Sequence, residues 1–176
     1  SIFFDYNHIY GKSSMAKELS KSIFKTLNER NLLFMYLGKE AIASPSPLGF
    51  FKQFLVENNG DKKDSFNIKT RALMPLINAA RLLVLSKNIS EINNTAQRFE
   101  RLAELEPQNK ELYQSCSYAF KALLKFKTKQ GILHNDSGKF IQLESLTKEE
   151  KLKLKRTFKP IREIQEVLSV RFNLKA

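Results

Sequence analysis

The chain of 176 residues contains no tryptophan, six glycines, two histidines and one cysteine, Cys116. A single Cys excludes a disulfide framework and any zinc site built on cysteines, and a lone thiol suits the reducing cytoplasm. Six scattered glycines spell neither a P-loop nor a dinucleotide-binding fingerprint. His8 and His134 form no His-x-x-x-His pair, and no Arg stands a few residues ahead of His134. A zinc-protease helix and a helical ribonuclease of the Arg-then-His kind are therefore not written here. No apolar run approaches the ~20 residues of a membrane span, and residues 1–15 lack the cationic-then-apolar order of a secretion signal. Acidic residues are scarce as well. Asp and Glu total 18 against 30 Lys and Arg, a net charge of +12, which predicts an anionic partner: nucleic acid, nucleotide phosphates, an acidic protein or a membrane surface.

Against these absences stands a rich apolar content. Hydrophobic residues make up 42% of the chain, with 14 Phe and 5 Tyr, which excludes a disordered chain. A chain of this length buries roughly 70% of its unfolded surface without a metal or disulfide staple.

The first residues differ from the rest. Ile2, Phe3 and Phe4 lead through Asp5, Tyr6 and Asn7 to Ile9, Tyr10 and Gly11, which reads as a strand running into a turn. Such a strand has no evident partner in the chain. The expectation is a piece of a larger protein, with 1–12 the end of a preceding domain and 13–176 a helical domain.

From Ser13 the pattern turns helical, with Met15, Leu19, Ile23, Phe24 and Leu27 on one face and Lys17, Lys21 and Lys25 on the other. A second helix is predicted from about Leu32 to Ala43, ended by Ser44-Pro45-Ser46-Pro47. Within 50–69, Asn58-Asn59-Gly60-Asp61 between apolar runs predicts a small hairpin or an irregular excursion. Long helices follow over about Thr70–Lys87, with Pro75 near its first turn, and Asn109–Gln130, with Gly131 just past its end. Between them Asn94 or Thr95 caps a shorter helix closed by Glu106-Pro107. The last helix opens on Thr147 and Glu150, which have capping-box spacing, and runs about 24 residues with a kink at Pro160. Wide apolar faces and short connections predict an all-α protein, an antiparallel up-and-down bundle resembling a four-helix bundle.

The cations cluster. Lys148–Arg162 holds seven Lys or Arg against two acids, and Lys121, Lys125, Lys127 and Lys129 crowd the end of the preceding long helix. If those helices run antiparallel, the two sets merge into one cationic surface. Arg71, Arg81 and Arg98 lie on or beside apolar stripes, where a guanidinium must find a carboxylate, a carbonyl or a ligand phosphate. Cys116 lies on an apolar stripe and reads as core.

One run of motifs is familiar in order and spacing. It comprises Pro47-Leu48-Gly49-Phe50-Phe51, Phe66-Asn67-Ile68-Lys69, Leu73-x-Pro75-Leu76, Ala80-Arg81, Asn94-Thr95-x-x-Arg98-Phe99-x-x-Leu102, Lys127-x-x-Gln130 and a closing Ile164-Gln165. Over about 45–172 it resembles the nucleotidyltransferase substrate-binding domain. In bacteria that domain lies C-terminal to a cyclic-nucleotide-binding-like domain, paired CBS domains and a nucleotidyltransferase domain related to the N-terminal part of protein-PII uridylyltransferase. Phe4-Asp5-x-Asn7-x-x-Tyr10-Gly11 is similar to the last strand of that catalytic domain. The chain departs from the family pattern at Asn7, Asn67 and Lys129, where Arg, Asp and His are usual.

The resemblance implies a non-catalytic wall beside a neighbouring nucleotidyltransferase domain, with Mg²⁺ and a nucleoside triphosphate bound in the full-length protein. The paired carboxylates needed for that metal (Gly-Ser followed by Asp-x-Asp) do not occur in this sequence. The implied substrate is a nucleotide, an acidic protein or both. Lys69, Arg71, Arg81, Arg98, Lys127 and Gln130 are the candidate substrate-binding residues, because they fall in or beside the resembling segments. Asp5 is a candidate for the catalytic neighbourhood, and no metal ligand is assigned in this chain. Two competing readings are a basic helical nucleic-acid-binding domain and a dimerisation or regulatory module. The first lacks a helix-turn-helix or an exposed aromatic–basic face.

Overall fold

The computed structural model describes residues 6, 8–28, 31–44, 47–48, 53–58 and 63–174. Among them are seven α-helices: α1 (Ser13–Asn28), α2 (Asn31–Ile42), α3 (Met74–Ser86), α4 (Thr95–Leu105), α5 (Lys110–His134), α6 (Lys148–Arg156) and α7 (Phe158–Arg171). Two short strands, β1 (Ser65–Asn67) and β2 (Phe140–Gln142), complete the framework. The fold is an all-α helical bundle. Helix α3 packs on α4, α4 on α5, α5 on α7 and α7 on α3, so four helices close a ring. Helix α2 covers α3 and α7, and α1 leans on α2.

Local chemistry explains most boundaries. The Asn94 side chain accepts a hydrogen bond from the Gln97 amide at 3.1 Å and starts α4. Thr147 and Glu150 form the reciprocal capping box that starts α6. Pro75 lies in the first turn of α3, where its missing N–H costs nothing. A π-helical turn, Lys69–Leu73, precedes α3, and the Asn67 side chain accepts from the Thr70 amide at 3.1 Å.

Two expectations are corrected and one is extended. The excursion within 50–69 does close on itself: the Glu57 amide donates to the Ser65 carbonyl at 3.0 Å and the Asp64 amide to the Glu57 carbonyl at 2.9 Å. Beyond that turn β1 pairs antiparallel with the distant β2, with Phe66 opposite Ile141 and both side chains fully buried. Residues 59–62, which carry the turn signal, lie outside the described residues. Helix α5 does not stop at Gln130 but runs through Gly131 to His134, where Asn135 takes the left-handed conformation and ends it. The final helix is two helices broken at Thr157. Pro160 cannot donate to the Arg156 carbonyl, and the Thr157 hydroxyl donates to the Leu154 carbonyl at 2.7 Å instead.

The core lies inside the ring. Phe99 and Tyr113 stack at 6.4 Å, and Phe54, Phe66 and Phe158 meet at 5.5–5.8 Å. Cys116 is buried, as its stripe predicts, with its thiol 3.6 Å from the Pro160 carbonyl. Helix α1 buries Leu27 but leaves Met15 and Leu19 exposed. The loop after α5 returns tightly: Gly138 has φ +63°, and a Cβ there would stand 1.9 Å from the Lys127 carbonyl oxygen. Only glycine fits. The strand expected over the first residues, with Asp5, lies outside the described residues, apart from Tyr6 and His8–Tyr10.

Candidate functional site: a cationic groove

Two features stand out among the described residues. The first is a buried carboxylate. Glu106 ends α4 and accepts from Tyr113 Oη at 2.6 Å, Arg171 at 2.6 Å and Asn109 at 3.1 Å, with Lys87 at 2.9 Å. Burial alone would raise its pKa. The hydrogen bonds from Arg171, Tyr113, Lys87 and Asn109 together win and hold it at about 2. Burial, and then the hydrogen bond to Glu106, push Tyr113 up to about 12. Every partner is a side chain of the bundle, so this cluster is framework: one carboxylate ties the ends of α3, α4, α5 and α7.

The second feature is open. A groove of about 930 Å³ runs between α5 and the broken pair α6–α7. Helix α5 supplies Tyr118, Ala119, Ala122, Lys125, Phe126 and Lys129, which recur at helical spacing along one face. Across from them stand Lys153, Arg156, Lys159 and Pro160. The two walls run antiparallel, since Cys116 meets Pro160 while Lys129 pairs with Glu150. That pairing brings Lys125 and Lys129 of one cluster beside Lys153, Arg156 and Lys159 of the other, whereas Lys121 pairs with Glu100 and Lys148, Lys151 and Lys155 lie beside Phe54. The groove wall crosses the break at Thr157, with Lys153 and Arg156 before it and Lys159 and Pro160 after it.

Five cations line the groove (Lys125, Lys129, Lys153, Arg156 and Lys159) against two acids, Glu111 and Glu163. Lys153 pairs with Glu149 at 2.7 Å, and Lys159 stands 3.6 Å from Glu163. Lys129 holds the Glu150 carboxyl below the usual carboxylate range, chiefly by hydrogen bonding. Among the described residues, Lys125 and Arg156 have no ion-pair partner. Tyr118 is 75% exposed at the groove edge. Helical bundles commonly place ligand sites between facing helices.

The six residues expected to bind substrate lie elsewhere. Lys69 is exposed and Arg71 half-buried, both on the π-helical turn, which packs against α5. Lys127 is half-buried and Gln130 buried, one turn apart on α5, and no hydrogen-bond partner meets Gln130 Oε1. Arg81 on α3 and Arg98 on α4 are 8% and 3% exposed. The Arg98 guanidinium donates to the Ile92 carbonyl at 2.6 Å, one of the partners that burial demands. None of the six lines the groove. Sequence reasoning missed Tyr118 and Ala122, since an exposed Tyr and a small residue on a helix carry no signal. It did flag the Lys clusters and Pro160.

Among the described residues no three His, Cys, Asp or Glu side chains come together as a metal site would require. No helix among them is long and apolar enough to cross a membrane. No curated protein and no solved structure matches the chain. The model of the family described as "Putative nucleotidyltransferase substrate binding domain" matches residues 31–172, from α2 to just past α7, and the chain belongs to that family.

Proposed function

We propose that this chain is the substrate-binding part of a nucleotidyltransferase of the protein-PII uridylyltransferase-like type and performs no transfer by itself. The observation that carries the reading is the cationic groove between α5 and α6–α7, whose five cations and apolar floor suit an anionic substrate. The family name implies a companion nucleotidyltransferase domain. Mg²⁺ and the nucleoside triphosphate are proposed to bind that companion, as the resemblance implies. Lys69, Arg71, Lys127 and Gln130 are proposed to face the companion from the α5 and π-turn side. A cytoplasmic signal-transduction protein with CBS and cyclic-nucleotide-binding-like domains is the proposed setting.

The test is Lys125→Glu with Arg156→Glu in the protein that carries both domains. These two cations have no ion-pair partner, so removing them leaves no buried charge behind. The expected result is a rise of about tenfold in the Michaelis constant for the substrate, with an unchanged melting temperature. An unchanged Michaelis constant refutes the assignment of the groove.

A further inference from the structure

Resting on the reading of the groove as the substrate site, we propose that its occupant is an acidic amphipathic α-helix of a partner protein. Three observations carry this. The first is length. The α5 wall extends from Glu111 to Lys129, about 27 Å at 1.5 Å per residue. A mononucleotide fills only part of such a trough, whereas a helix of about 18 residues fills it.

The second is the pattern of the walls. On α5 the lining positions 111, 115, 118, 122, 125 and 129 step by three and four, and on α6–α7 positions 153, 156, 160 and 163 do the same. Each wall thus offers one helical stripe, and the space between them has the form left when one helix is lifted from a bundle. Ala119 and Ala122 keep the floor shallow enough for another backbone to approach, and Phe126 and Pro160 give it apolar surface.

The third is charge. Lys125, Lys129, Lys153 and Arg156 crowd one end of the groove, whereas Glu111 and Glu163 mark the other. The occupant therefore carries its carboxylates along one half of its length. That polarity fixes its direction as well as its face. A second copy of this chain is a poor fit, since its own amphipathic helix with an open face, α1, carries Lys17, Lys21 and Lys25.

The test uses the 176-residue chain and a labelled peptide of about 18 residues. The peptide has Leu and Ala at i, i+3, i+4 and i+7, with Glu flanking the stripe over one half. Fluorescence anisotropy is read at physiological ionic strength. Saturable binding is expected, at least tenfold tighter than for a peptide of identical composition with the stripe scrambled. Lys125→Glu with Arg156→Glu should weaken it at least tenfold. Ala122→Trp, which fills the floor without touching charge, should do so too while circular dichroism stays unchanged. Equal binding of the scrambled peptide overturns the helix and leaves only plain electrostatics. Binding of Mg-UTP in place of the peptide, lost in the charge-reversed variant, overturns the helix but keeps the anionic groove. Tighter binding of a single-stranded oligonucleotide with a steep salt slope overturns it in favour of nucleic acid. If none of these probes binds, both the helix proposal and the groove assignment fall.

Discussion

Replacing Glu106 by Gln keeps the shape of the side chain and removes its charge from the point where the ends of α3, α4, α5 and α7 meet. The carboxyl is 3% exposed and receives hydrogen bonds from Tyr113, Arg171 and Asn109, with Lys87 beside it. Its pKa falls from the ordinary 4.5 to about 2. A depressed folded-state pKa contributes stability that is fully present above the unfolded value and disappears as pH falls through the folded value. Here that window runs from about pH 4.5 down to about pH 2. A displacement of that size corresponds to roughly 3 kcal/mol at neutral pH. Glu106→Gln should therefore lower the unfolding free energy by about 3 kcal/mol at pH 7, read from urea denaturation by circular dichroism. The gap between wild type and variant should narrow steadily as pH drops from 5 toward 3. Arg171 sharpens the test, since Glu106→Gln strands its guanidinium half-buried. Arg171→Met combined with Glu106→Gln should cost less than the sum of the two single changes. A gap that is independent of pH, or a loss below about 1 kcal/mol at pH 7, refutes the electrostatic account of this cluster.

Gly138→Ala should lower the melting temperature by several degrees, because a Cβ would collide with the Lys127 carbonyl oxygen in a left-handed conformation; differential scanning calorimetry checks this, and an unchanged midpoint refutes it. Burial pushes the Cys116 thiol well above its ordinary pKa, so the folded protein should resist a thiol-labelling reagent at pH 8 and react fully in denaturant. Arg98→Ala should lower stability by about 1–3 kcal/mol by leaving the Ile92 carbonyl without its donor; a stable variant with an altered Michaelis constant would instead mark Arg98 as a substrate contact.

Where the sequence was legible, a local interaction decided the outcome. Asn94 and the Thr147–Glu150 pair are caps whose partners lie three residues away, and both helices start as those residues predict. The pairing of β1 with β2 was not legible, because Phe66 and Ile141 are 75 positions apart and only the assembled core favours their meeting. The end of α5 is hidden for a related reason. Gly131 reads as a stop by itself, but its amide and carbonyl stay within the helix, where the returning Asp136–Gly138 loop packs on it. The groove lay halfway between. Its cations and the proline break show in the sequence, but which helix faces which does not, so the convergence of Lys125 with Arg156 needed the three-dimensional arrangement.

The Glu106 cluster and the break at Thr157 also divide the molecule mechanically. The start of α5 and the end of α7 are pinned together where Tyr113 and Arg171 share one carboxylate. From Tyr113 the cationic mouth at Lys125–Lys129 is about 18–24 Å farther along α5. Between the two lies Thr157, where no continuous helical ladder crosses from α6 to α7. Helix α6 spans nine residues, is anchored in the core by the fully buried Leu154, and is joined to α5 at its far end by the exposed Lys129–Glu150 pair. An exposed ion pair is a weak latch. The two ends of the groove are thus held differently, one by a buried carboxylate shared among four helix ends and the other by one core leucine and an ion pair near the surface.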